Sequence, residues 1–244
     1  MEIFFLLCLF VIAFLYAAVG HGGASGYLAL MALFGIAPMY MKSTALTLNL
    51  FVAGIAFYQY YKHGYFKWTL FFPFALASVP MAFLGGTISI DAHLYKKILA
   101  IFLVFAIVRM LGLLGKPKEV VQLVSPSFGL SLVIGLALGF FSGLIGIGGG
   151  IVLSPIILLL GWASMKETAA VSALFIWLNS MAALFGLSLS GTAFYPQMYI
   201  WIGVALLGGA LGAYNGAVKV NNRYLSYLLA LVLFIASIKL WLIQ

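Results

Sequence analysis

Between Glu2 and Lys42 this chain runs 39 residues without a charged side chain, and similar uncharged runs continue to its end. Lys42 to Lys62 encloses 19 such residues, Lys67 to Asp91 encloses 23, Glu119 to Lys166 encloses 46 and Glu167 to Lys219 encloses 51. A helix needs about 20 apolar residues to cross a hydrocarbon core of ~30 Å, so the distance between charges measures membrane spans. The 51-residue run is interrupted by the turn-forming stretch Ser188 to Thr192 and by Pro196, and so holds two. On this ruler spans are expected near 3–19, 43–61, 68–89, 95–115, 126–145, 168–188, 198–218 and 224–243, about eight in all. Composition agrees: 66% of the 244 residues are hydrophobic, 7% are charged and the mean hydropathy is +1.22. A soluble domain needs a polar shell that this chain cannot supply, so the solvent for most of its surface is lipid.

Strands of a membrane barrel alternate apolar and polar residues, whereas Ile3 to Val19 and Ile98 to Val108 are unbroken apolar runs. In lipid such runs pair their backbone groups internally only as helices. The expected fold is therefore all-α, a polytopic membrane protein. The first apolar run lacks a basic leader region and enters a glycine loop, so it is expected to stay in the membrane domain.

Two segments do not read as simple helices. One helix through the 39 residues after Glu2 would be roughly 58 Å long, about twice the hydrocarbon thickness, and must break. The break is at Gly20-His21-Gly22-Gly23-Ala24-Ser25-Gly26, followed by a short apolar stretch, Tyr27 to Phe34. A second lies at Gly143-Leu144-Ile145-Gly146-Ile147-Gly148-Gly149-Gly150, followed by Ile151 to Leu160 with Ser154-Pro155 inside it. The residues beyond the two breaks are also similar: Met41-Lys42-Ser43-Thr44-Ala45 in one place, Met165-Lys166-Glu167-Thr168-Ala169 in the other. Leu84-Gly85 and Leu211-Gly212 continue the correspondence. A period of about 125 residues is too long for a solenoid unit and suits half of a transporter. Two related four-helix halves are expected, 1–120 and 121–244, forming one membrane domain.

These residues resemble the TauE/SafE sulfite exporter family, also called the toluene sulfonate uptake permeases. That family carries, once per half, a Gly-x-Gly-Gly-Gly segment leading to a Pro and then a small-residue helix start. Gly146-Ile147-Gly148-Gly149-Gly150 with Pro155 and Ala169-Ala170-Val171-Ser172 is similar to it. The first half departs: Ala24 follows Gly20-His21-Gly22-Gly23, no Pro matches Pro155, and Ala45-Leu46-Thr47 stands for the second element. The resemblance spans essentially the whole chain. It implies a permease for sulfur-containing anions such as sulfite, sulfonates or sulfoacetate.

Physical chemistry alone points the same way. Irregular backbone at membrane depth is tolerated where it is buried in protein or lines a polar cavity. Glycines let successive N–H groups turn toward one point, and a helix beginning after each run presents its positive end there. Two such ends make an anion site without a buried cation. The candidate substrate-binding residues are Gly20, His21, Gly22 and Gly23 in the first loop, and Gly146, Gly148, Gly149 and Gly150 in the second. Ser25, Thr47, Asn49, Ser154, Ser172 and Asn179 add polar side chains in or just after the broken segments.

Each has a plainer reading. Gly135, Gly139 and Gly143, spaced by four, and Gly208 and Gly212 suit helix packing. His21 could carry a coupling proton or be a neutral imidazole bonded to a carbonyl. Arg109 is expected to snorkel to the headgroups. Lys42 and Lys166 read as matched interfacial residues that anchor the bundle or draw anions, and His63 and His93 as loop residues. One cysteine, Cys8, excludes an internal disulfide and a cysteine metal cluster. No cofactor or metal is expected.

A net charge of +8 spread over short loops reads as membrane electrostatics and leaves no basic domain for nucleic acid. The expected partners are a small anion and the lipid bilayer of the cell membrane, with self-association open. Simple alternation of spans puts six basic residues, among them Lys42 and Lys166, on one face and five, among them Lys62 and Lys67, on the other, so charge does not orient the chain. Gly23-Ala24-Ser25-Gly26 matches the nucleophile motif of rhomboid-type intramembrane proteases, but such an enzyme needs a histidine on another membrane helix. An anion channel lined by the same loops is the nearer alternative to a secondary transporter.

Overall fold

The computed structural model describes residues 2–110, 125–191 and 193–218, together with Phe234 and Ile238. Among the described residues the regular structure is helical: α1 (Glu2–Ala17), α2 (Ala24–Leu33), α3 (Pro38–Lys62), α4 (Trp68–Thr87), α5 (Ala92–Met110), α6 (Phe128–Ile145), α7 (Gly150–Leu159), α8 (Met165–Ser188) and α9 (Met198–Val218). Five of them, α3, α4, α6, α8 and α9, are long and apolar enough to cross a membrane by length and composition. The chain is thus a polytopic α-helical membrane protein. The expected spans from 3–19 through 198–218 each fall on one helix as far as they are described, the span 95–115 to residue 110, and α2 and α7 are additional short helices. The expected span 224–243, apart from Phe234 and Ile238, the boundary near residue 120 and the Arg109 side chain lie outside the described residues.

Each glycine segment reverses the chain. α1 closes with backbone bonds from Gly20 N to Ala17 O (3.0 Å) and from His21 N to Tyr16 O (2.8 Å). Gly23, at φ 97°, starts α2 in a left-handed conformation that side chains with a Cβ rarely adopt. α2 then folds back along α1: Gly26 packs on Ile12 and Tyr16, and Phe34 meets Phe5 edge-on at 5.1 Å. With ten residues, α2 is ~15 Å long and reaches only part of the way across. The second reversal is built likewise. Gly146 caps α6 by donating to Ser142 O (2.8 Å), and Gly149, at φ 72°, opens α7. α7 leads back to Trp162, which lies 6.1 Å from the Phe74 ring beside the early part of α6.

The reversals decide which ends share a face. Since α2 returns to the level where α1 began, α3 starts on the face of Glu2. Across the bundle, Lys67 in the α3–α4 turn pairs with Glu167 at the start of α8 (2.6 Å), and Lys166 reaches Tyr65 Oη and Ala217 O, both at 3.0 Å. The start of α8 therefore lies on the face of the α3–α4 turn. Simple alternation of spans puts Lys42 and Lys166 on the same face; the structure puts them on opposite faces, because the second break, which lies between them, is a hairpin rather than a kink.

Two glycine stripes draw helices together. A Cβ at Gly135, Gly139 or Gly143 of α6 would strike the carbonyl oxygens of Phe74, Ser78 and Ala82 on α4. Gly208, Gly212 and Gly216 of α9 meet Phe10, Phe14 and Ala18 of α1 in the same way. Both members of each pair advance four residues at a time, so each pair is parallel. Without Cβ atoms the backbones touch, and dispersion over that close contact replaces the hydrophobic drive that lipid does not provide. The packing reading of these glycines is what the geometry shows.

Local signals set the helix ends. Ser164 and Glu167 form a capping box at α8, with Glu167 Oε2 accepting from Ser164 N at 2.8 Å. Asp91 opens α5 by accepting from Leu94 N (2.9 Å) and His93 N (3.0 Å), and those N–H groups hold its carboxyl below the usual carboxylate range. His93 is accordingly an exposed residue of a first helical turn rather than of a loop, while His63 caps α3 at the surface.

Candidate substrate site between the hairpins

The two hairpins meet at the middle of the bundle. Gly22 of the first and Gly148 of the second both close on the same two side chains, Asn49 of α3 and Ile176 of α8. A Cβ at Gly148 would lie 2.6 Å from Asn49 Nδ2 and 2.9 Å from Ile176 Cγ2, and one at Gly22 would lie 2.8 Å from Asn49 Cγ and 3.0 Å from Ile176 Cγ2. Asn49 and Ile176 each sit midway along their helices, so the junction lies far from both faces. α2 and α7 begin beside it, and the first-turn N–H groups of a helix have no partner within the helix. Their positive ends thus flank one point.

The polar side chains here are buried. Asn49 Nδ2 donates to Ser180 Oγ at 3.4 Å, while Asn49 Oδ1 has no hydrogen-bond partner among the described residues. Tyr27 Oη, Thr44 Oγ1, Ser142 Oγ, Thr168 Oγ1 and Asn179 Oδ1, spread over the bundle, are in the same condition. An unpaired buried polar atom costs about 1–3 kcal/mol of desolvation, and Asn49 Oδ1 is the one that faces Gly22. A second cluster crosses between the hairpins: His21 Nδ1 lies 2.9 Å from Val19 O, and its Nε2 lies 3.1 Å from Gly150 O and 3.0 Å from Ser154 Oγ. Ser154 Oγ continues to Ser172 Oγ at 2.8 Å. Ile176 joins the two clusters, since its side chain also fills the space beside Gly150.

Of the candidate residues, the structure brings together His21, Gly22, Asn49, Gly148, Gly150, Ser154 and Ser172. The others face elsewhere. Gly20 packs on Ala169, Gly23 on Tyr27, Gly146 on Lys42 and Gly149 on Phe175. Thr47 donates to Ser43 O of its own helix (2.8 Å), and Asn179 donates to Ser78 Oγ (3.1 Å) and Phe175 O (2.7 Å). Ser25 Oγ bonds to Tyr16 Oη at 2.7 Å, and His21, in the same loop, bonds Ser154 on the other hairpin. Sequence reasoning missed Ser180 and Ile176. Ser172, Ile176 and Ser180 recur every four residues, so helical spacing from Ser172 would have found both.

Lys42 sits one turn into α3, near the end of the bundle. It is buried, and Nζ donates to Gly85 O (3.3 Å), Gly86 O (3.2 Å) and Ile88 O (3.4 Å) at the end of α4. Lys166 binds the end of α9 through Ala217 O and lies 4.9 Å above the Tyr65 ring. An ammonium at a helix C-terminus satisfies orphan carbonyls and meets the negative end of the macrodipole. Both lysines are helix caps.

Long apolar helices, stripes of close glycine packing and two buried hairpins that end against each other define a multi-pass membrane transporter. The family model for the sulfite exporter TauE/SafE matches residues 5–240. The chain belongs to the TauE/SafE family. It is 37% identical over 233 residues to a probable membrane transporter protein, y4hK, of Sinorhizobium fredii, covering 95% of this chain and 94% of that one. No solved structure matches the chain.

Proposed function

We propose that this protein is a secondary transporter of the cell membrane that moves a small sulfur-containing anion, of the sulfite, sulfonate or sulfoacetate type, through a midplane site between two related halves. One observation carries the reading: Gly22 and Gly148, from two hairpins far apart in sequence, close on Asn49 and Ile176 midway along α3 and α8. Helix N-termini and turned N–H groups attract a compact oxyanion without a buried cation, and Asn49 supplies a side chain that bonds it.

The helix directions support opposed halves. α1 pairs in parallel with α9, and α6 with α4, so each half lends its first helix to the other. Lys42 caps α4 and Lys166 caps α9, on opposite faces. An inverted repeat of this kind gives the site equivalent routes to either face, and rocking one half against the other exposes it alternately. The test is a thermal-shift screen of purified protein against sulfite, thiosulfate, sulfonates, sulfoacetate and carboxylates. A ligand of the folded state raises apparent stability by mass action, and sulfur oxyanions are expected to do so. Stabilisation by cations or apolar solutes alone would overturn the reading.

A further inference from the structure

The His21 ring faces two carbonyl oxygens, Val19 O from Nδ1 at 2.9 Å and Gly150 O from Nε2 at 3.1 Å. A carbonyl oxygen only accepts, and a neutral imidazole has one N–H to give. A neutral ring donating to Val19 would aim the Nε2 lone pair at the Gly150 oxygen. Only the imidazolium satisfies both. The alternative partner for Nε2 is Ser154 Oγ at 3.0 Å, which can donate to a deprotonated nitrogen and be supplied in turn by Ser172 Oγ at 2.8 Å. The ring thus has two bonding patterns differing by one proton. With the proton, the first hairpin is tied to the opening residue of α7; without it, the ring accepts from the Ser172–Ser154 pair.

We propose that His21 is the coupling-proton site of this carrier, its imidazolium latching the two hairpins around the bound anion so that anion and proton load together. This rests on the anion-carrier reading above. The proton enters from and leaves to whichever aqueous side the site faces. The groups beside the ring are Tyr16 on α1, 6.5 Å away between ring centroids, Tyr27 on α2 against Gly23, and Ser154 and Ser172 on α7 and α8. Lys42, beside Gly146, and Lys166, on the first turn of α8, hold helix ends. Tyrosine and serine do not titrate near neutrality, which leaves the imidazole as the group that responds there.

The experiment uses methanesulfonate, whose charge is constant from pH 5.5 to 8.5, as the probe. In the wild-type protein its affinity should fall as pH rises, approaching about tenfold per pH unit, with uptake approaching one proton per anion. In His21→Gln the dependence should be flat. A wild-type affinity that is itself flat overturns the coupling while leaving the anion site standing. Should methanesulfonate bind at no pH, the anion reading fails for sulfonates, and a ligand-free measurement decides His21 by itself. In ¹⁵N-histidine-labelled protein at pH 6, the imidazole signal lost in His21→Gln should report both nitrogens protonated. A ring that stays singly protonated from pH 8.5 down to pH 5.5 overturns the proposal, and His21→Asn provides a second assignment variant.

Discussion

Lys67 and Glu167, one hundred residues apart, form an ion pair of 2.6 Å that ties the α3–α4 turn to the start of α8. The two ends it joins share one face while the start of α3 lies on the other, so the glycine hairpins run in opposite directions across the bundle.

The topology is open to direct labelling. In a Cys8→Ser background, Lys62→Cys and Met165→Cys should react with an impermeant maleimide from one side of sealed vesicles. Met39→Cys and Asp91→Cys should react from the other; all four positions are exposed. Reaction of Met39→Cys and Met165→Cys from the same side would mean that the second glycine segment, which lies between them, does not double back.

Gly148 and Gly139 should fail differently when replaced by alanine. A methyl at Gly139 strikes the Ser78 carbonyl and forces α4 from α6, so stability should drop by about 1–3 kcal/mol with anion affinity kept in the folded fraction. A methyl at Gly148 meets Asn49 and Ile176, and anion affinity should fall about tenfold or more, ~1.4 kcal/mol, beyond the strain at φ 73°. Isothermal titration beside thermal melting separates the two. Gly149 faces Phe175, so Gly149→Ala belongs with the packing variants.

Asn49 and Asn179 are both buried amides on transport helices, yet only Asn49 touches both hairpins. Asn49→Asp should abolish anion binding by placing a carboxylate at the junction. Asn179→Ala should lose its bond to Ser78, costing about 1 kcal/mol of stability with affinity unchanged. Equal losses of affinity in the two variants would remove the distinction between them.

Lys42→Met should destabilise rather than slow transport selectively. It leaves the carbonyls of Gly85, Gly86 and Ile88 without their donor, a loss of about 1–3 kcal/mol read as a lower melting temperature. A raised KM with unchanged melting would instead give Lys42 a part in drawing the anion.

Much of this was legible before the structure. Charge spacing located the long helices because a membrane span is set by a length, and the four-residue glycine rhythm of Gly135, Gly139 and Gly143 announced a backbone contact. The direction of the breaks was not legible: a glycine run permits a kink or a reversal equally, and Gly26 against Tyr16 settles it only in three dimensions. Lys42 misled for a related reason. A lysine at a span boundary reads as an anchor or an anion lure, whereas its burial against the end of α4 comes from residues more than forty positions on. His21 meets Gly150 across 129 residues, a proximity no local pattern encodes. Local spacing did carry Ser180, four residues beyond Ile176, but not the fact that Asn49 lies opposite.

The central claim is a carrier whose midplane site opens to one side at a time, and countertransport tests it most directly. Protein in liposomes preloaded with millimolar unlabelled anion, sulfite or sulfoacetate in separate trials, is diluted into trace labelled anion, and internal label is followed over time. The account predicts a transient accumulation of label above equilibrium for at least one sulfur oxyanion, much reduced in Asn49→Asp. Label that only equilibrates down its gradient, or that no sulfur oxyanion moves at all, would contradict it.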